Sequence, residues 1–174
     1  LQCKIITDLT DVAEFAEDSL IEAWIATARA VAEHYTGRSL APQTLEMALD
    51  CFPEAGFDLD MPPVASITSI KYADPAFPYT ITHSGSGVPD PGLGIDGDVY
   101  WRTDTDVIYV KSSDTWTVSA QQLFATVEIG KYKLSTYGTA RRVELAYGAT
   151  WPTTRDEPEA VRVRYVAGYA VTPP

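Results

Sequence analysis

The sequence predicts an α+β fold in which one long amphipathic helix precedes a mostly antiparallel β-sheet or sandwich of short strands, with a small inserted β-meander. Three observations predict this class. Apolar residues recur every three or four positions near the N-terminus, the period changes to two afterwards, and a Gly- and Pro-rich segment interrupts the strands. With 174 residues, of which 45% are hydrophobic, the chain can bury a core without a metal or a disulfide.

The helix is predicted by a wide apolar stripe. Its members are Leu20, Ile21, Trp24, Ile25, Ala28, Val31, Ala32 and Tyr35. Ser19 and Glu22 have the spacing of a capping box, which predicts that the helix starts at Ser19. Gly37 predicts the end, and His34 and Arg38 lie near the negative end of the helix dipole. We expect the stripe to pack on a sheet or on a neighbouring molecule.

Short runs of β-branched and aromatic residues follow the helix, separated by Pro, Gly and Asp. They predict strands near residues 44–52, 57–59, 66–72, 127–134, 142–146 and 160–166. In the last strand, Val161, Val163 and Tyr165 fall on one face. Arg162 and Arg164 fall on the other face, so one side is core and the other meets solvent or a partner.

An insertion is predicted in the middle of the chain. Residues 84–92 are rich in Gly and Pro, which favours a linker over a regular element. The runs around 98–101 and 107–111, followed by Trp116, predict a small meander that must lean on the rest of the fold. We therefore predict a core over residues 1–80 and 118–174 and an inserted β-module over residues 84–117.

The charge of the chain excludes one class of function. A formal net charge of −11 disfavours binding that neutralises DNA phosphates. The negative charge is unevenly distributed along the chain, because residues 1–60 carry a net charge of −9 while residues 131–174 carry +3. No apolar run approaches the roughly 18 residues that span a bilayer, and no charged-then-apolar leader stands at the start. We expect no membrane association.

The sequence offers no arrangement for catalysis. Cys3 and Cys51 are predicted to be ordinary thiols, and with His34 and His83 far apart they do not form the four-ligand pattern of a closed zinc site. Neither histidine has a spacing that places it beside a nucleophile. We expect no catalytic residue, no cofactor and no metal site, which argues against an enzyme.

Two clusters in the insertion leave alternatives open. Asp96, Asp98, Asp104 and Asp106 suggest a Ca²⁺ site or the acid pair of a hydrolase. Their spacing does not match an EF-hand loop, and Asp is a common turn residue, so we favour two hairpin turns.

The aromatic residues of the insertion are Tyr100, Trp101, Tyr109 and Trp116. They predict either an exposed platform for a glycan or protein or, as we favour, the core of the small module.

Three strings resemble a known family. Residues 30–44 read AVAEHYTGRSLAPQT, residues 62–72 read PPVASITSIKY and residues 151–169 read WPTTRDEPEAVRVRYVAGY. In this order they resemble the phage head-tail connector family, the adaptor or head-completion proteins of tailed phages and prophages. The sequence departs from the family in its upstream helix, which is shortened to residues 10–17. It also carries the insertion, which resembles a short β-module recurring in phage tail and fibre proteins.

The resemblance implies a structural role without catalysis. Subunits of this family join as a ring, twelve-fold in the family, beneath the portal protein at the capsid vertex. The ring extends the DNA channel, through which DNA passes without sequence-specific binding, and it presents a docking surface for tail-side completion or terminator proteins. The resemblance implies a place in the neck of the virion, after assembly in the cytoplasm of a host bacterium.

Candidate contact residues follow from this interpretation. We expect Arg162, Arg164, Trp24 and Arg38 at the subunit or partner interface. We expect Tyr100, Trp101 and Trp116 on the surface of the inserted module. The alternative function is a glycan- or protein-binding module that uses those three aromatic residues.

Overall fold

The computed structural model describes residues 14–135 and 141–169, apart from the side chains of residues 14–17. The helix α1 spans Glu14–Thr36. The strands are β1 Gln43–Leu49, β2 Phe57–Asp58, β3 Val64–Ala73, β4 His83–Gly85, β5 Val99–Arg102, β6 Val107–Ser112, β7 Thr115–Val118, β8 Phe124–Thr126, β9 Tyr132–Leu134, β10 Arg142–Leu145 and β11 Val161–Ala167. The predicted α+β class is confirmed. Cys3 lies outside the described residues.

Two antiparallel sheets enclose the main core. The first sheet has the order β1-β11-β3-β8 and the second has the order β2-β10-β9. The buried residues between them are Phe57, Leu59, Val64, Ile70, Val127, Val143, Val161, Val163, Tyr165 and Ala167. The prediction for β11 is confirmed, because its alternate residues are buried while Arg164 is exposed and Arg162 is partly buried. The Tyr165 hydroxyl donates to the Asp60 carbonyl at 3.0 Å, so this buried polar group is satisfied.

A third sheet, built from residues 83–118, has the order β4-β5-β6-β7. Strand β4 runs parallel to β5, and the other pairs are antiparallel. A second apolar cluster joins this sheet to the end of β3 and to β8. Its buried members are Ala73, Phe77, Val99, Ile108, Leu123, Phe124 and Ala160. The inserted module therefore shares a core with the rest of the fold, as its small size requires.

Three local predictions are wrong. The helix continues upstream to Glu14, so Ser19 lies inside α1 and does not cap it. The part of the predicted upstream helix that the structure describes, residues 14–17, is continuous with α1, whereas residues 10–13 lie outside the described residues. The run 127–134 contains β9 only at its end, because a turn closed by Lys131 N–H donating to the Glu128 carbonyl at 3.1 Å separates it from β8. The Gly-rich segment also contributes a strand, β4.

Candidate functional site

The helix α1 extends away from the sandwich. Every residue from Asp18 to Val31 is exposed. Among the described residues, no substantial packing joins α1 to a strand. The exposed fraction is 63% for Trp24, 62% for Ile25 and 90% for Tyr35. The expected packing of the stripe on a sheet is therefore not found within the described residues.

This exposure is unusual because helices in folded proteins gain most of their stability from packing an apolar face. A contiguous row of exposed large apolar side chains marks an interaction surface on a folded protein. The row runs through Leu20, Ile21, Trp24, Ile25, Val31 and Tyr35. We call it the α1 stripe.

The base of α1 is held by a buried serine. Ser39 has no exposed surface. Its backbone N–H donates to the carbonyl oxygens of Met61 and Pro62 at 3.4 and 3.2 Å. Its hydroxyl donates to the Ala41 carbonyl at 2.9 Å and accepts from Gln43 Nε2 at 2.7 Å. All polar groups of this side chain are thus paired with the sandwich, which fixes the chain directly after the helix.

Two further contacts fix the direction of the helix. The Glu33 carboxylate, at the last turn of α1, accepts from the Leu40 N–H at 2.7 Å. Arg38 Nη1 donates to the Tyr169 hydroxyl at 3.0 Å. Arg38, predicted at a partner interface, is therefore engaged within the chain. The helix ends before Gly37, which has the predicted left-handed conformation at φ +62°.

Gly168 completes this junction. Its N–H donates to the Pro63 carbonyl at 2.8 Å, and its φ is +114°. A Cβ at this position would collide with the Ala41 carbonyl. Only glycine lets the end of β11 approach the chain that leaves α1. The three strings that carry the resemblance, in residues 30–44, 62–72 and 151–169, thus meet at one place.

The inserted module contacts part of the outer face of the first sheet. The Arg162 guanidinium lies 4.3 Å from the Phe124 ring centroid and 5.1 Å from that of Trp101. Lys71 Nζ pairs with Asp106 Oδ2 at 2.6 Å. Arg162, expected to meet a partner, thus bridges the module and the core, because cations stack favourably on aromatic faces. Arg164 remains exposed.

The four aspartates of the predicted acidic cluster, Asp96, Asp98, Asp104 and Asp106, each have a separate partner. Asp96 accepts from the N–H groups of Ser113 and Asp114 at 3.0 and 2.8 Å. Asp98 Oδ2 lies 2.9 Å from His83 Nε2. Asp104 accepts from Arg102 at 2.7 and 2.8 Å, and Asp106 binds Lys71. Within residues 14–135 and 141–169, no group of three or more His, Cys, Asp or Glu residues could hold a metal.

These partners shift the titration of two carboxyl groups. The Arg102 hydrogen bonds lower the pKa of Asp104 to about 2. A hydrogen bond from the Ile95 N–H lowers the pKa of Asp98, and the hydrogen bond with His83 lowers it further. Both carboxylates are held ionised by local hydrogen bonds, as turn and pairing residues are. This geometry favours the turn interpretation over a shared cation or an acid pair.

The module also contains a buried lysine that sequence analysis did not single out. The Lys111 side chain is 1% exposed. Its Nζ donates to the carbonyls of Pro91, Leu93 and Gly94 at 3.0, 2.9 and 3.0 Å. The ammonium thereby organises the Gly- and Pro-rich loop, which has few backbone hydrogen bonds of its own. The alternation of faces along β6 could have indicated that Lys111 is buried, because it places Lys111 on the same face as buried Tyr109.

The three aromatic residues expected on the module surface do not form one platform. Tyr100 is 6% exposed, so its predicted surface position is wrong. Neighbouring strand residues point to opposite faces, and Trp101 accordingly packs on Phe124 with ring centroids 6.0 Å apart. Trp116 lies beside Tyr100 on the other face, with centroids also 6.0 Å apart. Tyr100 and Trp116 pack on each other within the module, and Trp101 packs between the module and β8.

Comparison of the chain with models of protein families, with curated proteins and with solved structures found no match. Within residues 14–135 and 141–169, no helix combines the length and the apolar character that crossing a bilayer requires.

We predict that Lys111→Met destabilises the protein by about 3 kcal/mol, because three loop carbonyls lose their donor. Urea denaturation followed by tryptophan fluorescence measures the change. Lys133→Met is the matched control, since the Lys133 side chain is 64% exposed and its ion pair with Glu144 is long at 3.7 Å. That control should cost less than about 1 kcal/mol. Equal losses in both variants would contradict the role of Lys111.

We predict that Gly168→Ala destabilises the protein by about 3 kcal/mol, because strain at positive φ adds to the collision with the Ala41 carbonyl. The matched control is Gly37→Ala, where φ is also positive but no atom lies within 4 Å of the added Cβ. The control should cost about 1 kcal/mol. Urea midpoints that shift equally would show that the close approach at Gly168 is unimportant.

Proposed function

We propose that this chain is a structural subunit of the neck of a tailed phage-like particle, where it joins the portal-bearing vertex to the tail as part of a ring around the DNA channel. The observation that carries the proposal is the α1 stripe, a row of large apolar side chains exposed on a helix that is firmly anchored at one end. Such a helix is suited to assembly because its position is fixed before any partner arrives.

The junction at the base of α1 supports the same proposal. The residues that resemble the connector family are those that fix the helix to the sandwich, around Ser39 and Gly168. A rigid junction sets the angle between subunits, and a fixed angle between identical contacts is what allows a ring to close.

The net charge is compatible with a channel. An acidic surface repels the phosphate backbone, so DNA slides past it and does not stick. In this proposal the partners are further copies of the chain, the portal protein and tail-side completion proteins. The inserted module is an outward decoration, held in place by Arg162 and by the pair Lys71 and Asp106.

We predict that the double variant Trp24→Ser, Ile25→Ser loses self-assembly and stays folded, because both side chains are exposed in the single chain. Light scattering across a concentration range, with and without the portal protein, measures the mass. The control is Val88→Ser, Ile95→Ser, which removes equally exposed apolar residues, 67% and 74%, from the inserted module. Assembly of the stripe variant like the unaltered chain would contradict the role of α1.

We predict that a labelled form of this chain appears only at the junction of head and tail in assembled particles. Electron microscopy of particles decorated with a label on an inserted-module loop measures its position. Particles that carry the label only on fibres, or only outside the neck, would refute the proposed function.

A further inference from the structure

We propose that the seam between the inserted module and the first sheet binds a small organic acid, whose carboxylate pairs with Arg162 and whose apolar or aromatic part packs beside Trp101. This inference is independent of the proposed function, which requires no ligand at the seam. It follows from a cavity, from an arginine without an acceptor and from the charges around both.

The seam contains a cavity of about 510 Å³, which is within the range of small-molecule sites. Residues in and just before the module form one side, and β8, β11 and the loop before β11 form the other. Its apolar lining consists of Ile81, Trp101, Leu123, Phe124 and Pro158. Its polar lining consists of Thr80, Ser84, Arg155, Glu157, Glu159 and Arg162. Aromatic walls with a few charged groups suit a ligand that has both an apolar part and a charged part.

Arg162 is a partly buried cation without an acceptor. Its guanidinium makes no ion pair and no hydrogen bond with any residue that the structure describes. The rings of Phe124 and Trp101 lie against it, with centroids at 4.3 and 5.1 Å. Stacking of this kind uses the face of the guanidinium, whereas its N–H donors lie at the edge of the plane. That edge remains available to a carboxylate, which matches the guanidinium fork with two hydrogen bonds.

The other unpaired cations differ from Arg162 in their exposure. The side chains of Arg29, Lys131 and Arg164 also make no ion pair or hydrogen bond within residues 14–135 and 141–169, but each of these residues is exposed to water. Water supplies acceptors to an exposed cation. A partly desolvated cation therefore gains more from an anion than an exposed cation does.

The seam is also short of hydrogen-bond acceptors. Three buried side-chain donors lack a partner in the described part of the chain, and two of them, Trp101 Nε1 and Arg155 Nη1, belong to residues that line this cavity. Buried donors are paired in the great majority of cases, so unpaired donors at one cavity indicate a place for a ligand that brings acceptors. A carboxylate brings two oxygen atoms that only accept.

The acidic residues of the lining limit the charge of the ligand. Glu157 Oε2 lies 3.5 Å from Arg155 Nε, so it pairs with the other arginine. Glu159 is exposed. These two carboxylates repel an anion of higher charge, such as phosphate, whereas a single carboxylate is balanced by Arg162. The seam therefore favours a monocarboxylate.

Benzoate is a suitable probe because it joins one carboxylate to an aromatic ring. Heteronuclear NMR of the intact chain measures binding through the indole N–H signals, and the Trp101→Phe variant identifies the signal of Trp101. We expect benzoate to shift the Trp101 signal saturably and to leave the signal of Trp24, which is exposed on α1, unchanged. Benzamide, the uncharged isostere, and inorganic phosphate should each bind more weakly by about tenfold.

Removal of the guanidinium tests its role directly. Arg162→Gln should weaken benzoate binding by about tenfold, because the anion loses its charged partner. Arg164→Gln is the matched control and should leave binding unchanged. Arg164 lies on the same face of β11, is exposed and does not line the cavity.

A second variant tests the site with both arginines in place. Ser84 pairs with Trp101 across β4 and β5, so the two side chains lie on the same side of the sheet. In Ser84→Glu the added carboxylate should occupy Arg162, weaken benzoate binding by about tenfold and raise the urea midpoint. The control Ser86→Glu adds the same charge outside the lining and should change neither quantity.

The inference is overturned if benzoate gives no saturable shift of the Trp101 signal, if benzoate and benzamide bind equally, or if Ser84→Glu leaves benzoate binding unchanged. If Arg162→Gln keeps its fold, as its urea midpoint shows, unchanged binding in that variant overturns the inference as well. None of these results bears on assembly, so the proposed function stands or fails separately.

Discussion

The rest of the structure depends on the burial of Ser39 at the base of α1. Its N–H and hydroxyl are paired with the carbonyls of Met61, Pro62 and Ala41, so the chain leaving the helix is fixed to the sandwich. Gly168 permits this contact because a side chain there would strike the Ala41 carbonyl. The helix itself buries little, and its direction therefore comes from these few polar contacts at one end. The buried apolar residues lie in the sandwich and the inserted module, and the apolar face of α1 stays exposed.

The inserted module depends on cations in a similar way. Lys111 binds three carbonyls of a loop that Gly and Pro prevent from forming regular structure. Arg162 stacks between Phe124 of the core and Trp101 of the module. A chain with a net charge of −11 thus uses two of its few basic residues internally. The consequence is a module fixed to part of the outer face of the first sheet, around Arg162 and Lys71, while Arg164 on the same face stays exposed.

Sequence patterns predicted the features that depend on local period and local turn chemistry. The faces of β11 follow from strict alternation, and the end of α1 follows from Gly37, because both depend only on neighbouring residues. The start of α1 was misplaced because a capping-box spacing at Ser19 also occurs inside a longer helix. The roles of Lys111 and Arg162 depend on residues that are distant in sequence. No local period reveals such partners.

The central claim is that α1 is anchored at its base and exposed along its length until another copy covers it. Hydrogen–deuterium exchange of the intact chain at increasing concentration tests this most directly. We expect amides of residues 18–36 to exchange rapidly in the monomer and to become protected as the mass rises, while β11 stays protected throughout. Equal protection of α1 in the most dilute monomer would contradict the claim, because the helix would then be covered by its own chain.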